Sequence, residues 1–169
     1  GYRDSAQGFA NIAGTSGILE GSAGAGYLRT DGISAFDENL GGTERDGYRN
    51  FTANGKLRVN LSEALSLDAR GYYIDAKTEF DGFPPPNFTL ADTGDFSKNK
   101  LFVGYTGANL ALLNGQFKNR FAYTYTDVSR DNFERSGGAD VPSFLSQGKL
   151  DRFEYRGELS PVSAVTLLF

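Results

Sequence analysis

The residues most able to do chemistry in this chain are carboxylates gathered in two polar segments. Asp37, Glu38, Glu44 and Asp46 lie in the first, and Asp81 and Asp92 flank the FPPPN run in the second. Flexible loops rich in carboxylates can supply the roughly six to eight oxygens that Ca²⁺ takes. The simpler reading is that these acids keep solvated loops polar. Glu154 and Glu158 form a second carboxylate pair, on one strand, but no convergent partner completes a hydrolytic site. A third set is Lys56, Arg58, Asp68, Arg70, Lys118, Arg120, Arg152, Glu154, Arg156 and Glu158, which recur at alternate positions. Alternation puts them on one face of a sheet, where bridging across strands, such as Arg58 to Asp68 or Arg70, is the ordinary role; the register is left open. The segment GFPPPN, with Phe80, Phe83 and Phe88 around it, is stiff enough to meet a bulky ligand. Its prolines also suit a loop that must not pair edge to edge.

The absent residue types narrow the chemistry further. With no Cys there is no disulfide, thiolate nucleophile or cysteine metal site, and with no His the usual base of a catalytic triad is missing. An enzyme is therefore not expected. A net charge of −4 without a basic cluster argues against nucleic acid as a partner. The 22 Gly and the 23 Tyr and Phe, in a chain with no Trp, suit strands and membrane-interface girdles. The chain starts at Gly1, contains no Met and shows no export signal, so it reads as an excerpt.

The elements that must carry these residues are strands. In FTANGKLRVNL, Phe51, Ala53, Gly55, Leu57, Val59 and Leu61 alternate with Thr52, Asn54, Lys56, Arg58 and Asn60. After a short turn, Leu65, Leu67, Ala69, Gly71 and Tyr73 repeat the pattern. It then slips near Ile74, which predicts either a bulge or a strand leaving its apolar layer. Phe117, Phe121, Tyr123 and Tyr125 form another apolar side, with Asn119 as its polar exception. Phe153, Tyr155, Gly157 and Leu159 oppose a wholly charged side. The reading gives about eight strands, over 8–14, 20–31, 50–61, 65–77, 100–112, 117–128, 149–159 and 165–169. Short links near 15–17, 62–64, 113–116 and 160–164 alternate with long polar ones over 33–49, 79–98 and 131–147. That order predicts an all-β, antiparallel transmembrane β-barrel segment in an outer membrane, with tight turns on one side and long loops on the other. No stretch approaches the ~20 apolar residues of a spanning helix. The last strand is too short to cross, so the chain is expected to stop mid-strand.

In order, TERDGYRNFTANGKLRVNLSEALSLDARGYYIDAKTEFDGF, NKLFVGYTGANLALLNGQFKNRFAYTYTDVSRDNFE and QGKLDRFEYRGEL, with the arm GSAGAGYLRTDGIS, resemble the N-terminal third of the barrel in TonB-dependent outer-membrane receptors. The likeness is strongest to the vitamin B12 (cobalamin) receptor branch and covers most of the chain. It implies that residues 1–169 are part of a larger barrel, of about 22 strands, whose plug domain and other strands are absent. It further implies receptor and transporter function, with uptake of cobalamin or a ferric siderophore driven through the plug by a TonB-type energy-transducing protein. The outer-membrane lipid is the other implied partner. The resemblance also implies calcium in the two acidic loops, with Asp81 and Asp92 at matching positions and Asp37 and Asp46 as the first-loop candidates. The rival expectations are a complete small eight-stranded barrel with a structural or adhesive role, and a soluble all-β binding domain.

Overall fold

The computed structural model describes residues 4–36, 39, 42, 45–162 and 164–169. They form one eight-stranded antiparallel sheet in which every strand pairs with its sequence neighbours, in the order β1-β2-β3-β4-β5-β6-β7-β8. The strands are β1 (Ala6–Ser16), β2 (Leu19–Thr30), β3 (Tyr48–Asn60), β4 (Leu65–Gly82), β5 (Ala91–Leu112), β6 (Phe117–Ser136), β7 (Ala139–Val162) and β8 (Val165–Leu168). All eight expected strands are present. The sheet is open, because among the described residues β1 and β8 pair with nothing on their outer sides.

Registry fixes which residues share a face. Leu57 pairs with Ala69 and Val59 with Leu67, while Arg58 pairs with Asp68 and Lys56 with Arg70. Paired residues point to the same side, so the apolar and charged sets separate as the alternation requires. Among the described residues no second layer covers the apolar face. Among the described residues only Ala76 and Phe96 are buried hydrophobics, while Phe153 is 80% exposed, Phe121 53% and Leu57 46%. A soluble sandwich would bury this face against another sheet at about 10 Å.

Two expectations about the strand ends need correction. The slip near Ile74 is not a bulge: β4 keeps register from Leu65 to Phe80, and its first irregularity falls between Phe80 and Gly82. The strand instead leaves the apolar layer, its apolar side continuing as Asp75, Lys77 and Glu79. The long links over 79–98 and 131–147 are also mostly strand. β6 and β7 run on as a ribbon to a turn at Gly137 and Gly138, whose φ values of 61° and 82° are the left-handed pair of a tight hairpin. Beyond the apolar layer both sides of a strand are polar, so the two-residue period loses contrast while the backbone ladder continues.

Along the apolar face, each strand from β2 to β7 changes from aromatic to charged at one step. The steps are Tyr27 to Arg29, Phe51 to Arg49, Tyr73 to Asp75, Phe102 to Lys100, Tyr125 to Asp127 and Phe153 to Asp151. Tyr hydroxyls point across the step: Tyr73 donates to Asp75 at 3.3 Å, Tyr125 to Asp127 at 3.2 Å and Tyr123 to Asp151 at 2.5 Å. Tyr27 is level with Phe51 and Tyr73 with Phe102. Phe51, however, pairs with Asp75, Phe102 with Asp127, and Tyr125 with Asp151. The boundary thus drops two residues at three of the five pairings, always in one direction. At about 3.3 Å per residue and about 4.8 Å between strands, a line about 40° from perpendicular to the strands follows.

Candidate functional site

Two polar clusters carry the candidate residues, one on the charged face and one at the strand ends. On the charged face, Asp68 is the hub, with its side chain only 1% exposed. Arg58 Nη2 donates to Asp68 Oδ1 at 3.0 Å, Arg70 Nη2 lies 3.7 Å from the same oxygen, and Asn109 Nδ2 donates to Oδ2 at 3.0 Å. Arg120 donates to the Tyr105 hydroxyl from Nε at 3.1 Å and from Nη2 at 2.5 Å, and Arg70 stacks 5.0 Å from the centre of the Tyr105 ring. Gly107 permits this, since a Cβ there would collide with the Tyr105 hydroxyl and ring and approach Asp68. The bridge between Arg58 and Asp68 or Arg70 is thus made through Asp68, which joins both arginines. Further along the face Lys118 pairs with Glu158 at 3.0 Å and Arg152 with Glu154 at 2.7 Å. Arg120 is registered opposite Arg156. Glu154 and Glu158 each serve a basic side chain rather than one another.

At the strand ends, acids accept from backbone. Asp81 takes the Phe36 amide at 2.7 Å and the Ser34 hydroxyl at 2.9 Å on Oδ2, and the Thr93 amide at 3.3 Å on Oδ1. One side chain therefore ties the β2–β3 loop to the β4–β5 hairpin. Glu79 accepts from the Gly47 amide at 3.2 Å, and Asp46 Oδ2 accepts from the Ala35 amide at 2.9 Å. Asp46 Oδ1 is buried without a hydrogen-bond partner among the described residues. Burial pushes the Asp46 carboxyl above the ordinary aspartate range, the Ala35 amide opposes this, and the charges of Asp81, Asp92 and Glu79 add to the rise. The repulsion identifies Asp92 as a neighbour of this group. Asp37, Glu38 and Glu44 lie outside the described residues. Among those that are described, no three acidic side chains stand close enough together to hold a metal ion. The FPPPN segment caps the β4–β5 hairpin with Phe83 and Phe88 62% and 67% exposed, free to meet a ligand.

No protein-family model and no solved structure matches the chain. The functional reading therefore rests on geometry and the sequence.

Reasoning from alternation found the charged face but missed Tyr105 and Asn109, which complete the Asp68 cluster. Both alternate along β5 in step with Gly107, so their face was readable once Asp68 was assigned to it. The clamp at Asp81 had no local signal, because its donors come from 45 residues upstream and 12 downstream. Replacing Asp81 with Ala removes the acceptor for three donors. Faster tryptic cleavage after Arg45 in the native protein is expected, with the unfolding midpoint shifted little. An unchanged cleavage rate would mean that the loop is held by other contacts.

Proposed function

We propose that this chain is an early part of the barrel of a TonB-dependent outer-membrane receptor, which imports a large scarce nutrient such as cobalamin or a ferric siderophore. The observation that carries the membrane half of this reading is the uncovered apolar face with its inclined aromatic-to-charged boundary. A boundary about 40° from perpendicular to the strands is what strands tilted about 35–45° produce where they leave a flat bilayer. The apolar run from Phe51 to Leu61 then stands about 25 Å tall, the height of the apolar band in outer-membrane barrels. In that setting the charged face lines the lumen. Asp68, Glu154 and Glu158 each pair with a basic side chain there, and basic residues are in excess, a lining that suits an interior in contact with water or protein rather than lipid.

The transport half rests on the resemblance and on the open sheet. Eight strands with two free edges leave backbone groups that lipid cannot satisfy, so further strands of a larger barrel fit the geometry. Partners follow from this: a plug domain of the same protein, a TonB-type energy transducer, and the nutrient at the exposed loops. The loop acids carry a calcium proposal within the same reading. The resemblance implies Ca²⁺ at Asp37, Asp46, Asp81 and Asp92; the described acids are not gathered for it, so binding would need Asp81 to give up the Ser34 hydroxyl and the Phe36 and Thr93 amides. Asp46 Oδ1, buried without a hydrogen-bond partner among the described residues, supports it, since a cation would satisfy that oxygen. Without calcium, ionised Asp46 opposes loop docking; this cost is absent below the ordinary aspartate value and fully present above the raised one. Asp46→Asn should therefore leave loop docking intact in chelator while removing any calcium-dependent rise in melting temperature.

The direct test is uptake. Cells lacking the gene for the intact protein should lose high-affinity accumulation of labelled cobalamin or of a ferric siderophore. A protonophore should block uptake in the parent. Full accumulation of both classes in the deleted strain would sink the transport reading and leave a small structural or adhesive barrel in its place.

A further inference from the structure

Beyond the apolar face, β2 to β5 carry a line of like charges. Arg29 is registered directly opposite Arg49, Arg49 opposite Lys77, and Lys77 opposite Lys98, so four basic side chains stand abreast on four neighbouring strands. Like charges so opposed destabilise a sheet. Internal acids answer only part of the charge. Arg29 reaches Asp31 at 3.1 Å and Lys77 reaches Glu79 at 2.6 Å. Lys98 is registered opposite Asp131, yet its Nζ lies 5.4 Å and 5.0 Å from the ring centres of Phe96 and Phe133. Exposed Arg49 makes no ion pair among the described residues. The row is also local. On β6 and β7 the same level carries Asp131 and Leu145, and nearer the apolar layer stand Asp127 and Asp151, with Lys149 paired to Asp127 at 3.8 Å.

Directly below the row lie Tyr27 and Phe51. On β4 and β5 one further layer intervenes, where Lys100 lies 3.9 Å from Asp75, and below it come Tyr73 and Phe102. A row of cations beside an apolar aromatic surface suits a ligand that has an anionic head and a hydrocarbon tail. Arg29, Arg49 and Lys77 line an open, polar cavity of about 510 Å³ beside Tyr27, roomy enough for a phosphate head while the chains stay on the apolar face. We infer that Arg29, Arg49, Lys77 and Lys98 bind the phosphate groups of anionic lipids, whose chains lie against the aromatic belt. This rests on the membrane placement proposed above.

The test uses the intact protein reconstituted into vesicles of phosphatidylcholine alone and of phosphatidylcholine with phosphatidylglycerol, together with the double variant Arg49→Gln/Lys98→Gln. Lys118→Gln, on the opposite face, is the control. The parent and Lys118→Gln should melt higher in the anionic vesicles. In detergent, the double variant should need about 25-fold more phosphatidylglycerol for the same rise, at about fivefold per basic residue near an anionic surface. Inorganic phosphate at equal concentration should do nothing. Equal melting in the two vesicle types, or a double variant that titrates like the parent, overturns the inference. A rise with inorganic phosphate alone makes the row a free-anion site and overturns the lipid assignment. A protein that enters neither vesicle type overturns the membrane placement itself, a failure separable from the others.

Discussion

An arginine placed at Leu57 is expected to cost about 2–4 kcal/mol of folding free energy in a bilayer, while one at adjacent Lys56 costs less than about 0.5 kcal/mol. Leu57 sits near the middle of the apolar run on β3 and is 46% exposed with no protein layer over it. In water an exposed leucine replaced by arginine is close to neutral, because the guanidinium stays hydrated. Near the bilayer midplane it must be desolvated or pull water inward. The adjacent position points to the other side of the sheet, where Lys56 already meets Arg70 in register. The size of the difference therefore reports the surroundings of the apolar face rather than strand propensity. Urea-induced unfolding of the intact protein in thin phosphatidylcholine vesicles measures it. Equal and small costs at the two positions would mean that the face is not in lipid.

The second large effect is at Asp68. Asp68→Ala strips the anion from between Arg58 and Arg70 and leaves Asn109 without its acceptor. Removing one partner from a buried charge cluster costs about 3–5 kcal/mol when the rest is desolvated. The arginine side chains are 38% and 48% exposed, so water screens much of the repulsion. About 2 kcal/mol is the expected loss. Asp68→Asn keeps the shape and an acceptor and should cost about half as much. In the pair Asp68→Ala and Arg58→Ala, a coupling of about 1 kcal/mol or more should appear in a double-mutant cycle. Strictly additive losses would mean that the arginines find other partners.

The apolar segments were readable because period-two alternation survives wherever one face is apolar and the other charged. Phe51–Leu61 and Phe153–Leu159 announce their faces for that reason. The same rule misjudged 131–147, where both faces are polar, although Gly137 and Gly138 were a turn signal in plain view. Near Ile74 the lost alternation marked the height at which the apolar layer ends. The calcium candidates show the opposite limit. A run of acids declares charge, but whether it gathers a cation or caps backbone amides depends on contacts across loops. Asp81 caps three donors drawn from two segments.

The β6–β7 ribbon has a practical corollary. Its two strands run past Phe133, the last residue of β6 paired to β5, are held once more where the Arg135 amide donates to Asp95 Oδ1 at 3.1 Å, and end at the glycine turn. On a cell whose outer membrane held the apolar band, this tip would rise above the lipid and be among the first protein surfaces met by an antibody or a phage tail. A short epitope spliced between Gly137 and Gly138 would be displayed there, readable on live cells by flow cytometry, without disturbing the paired strands below.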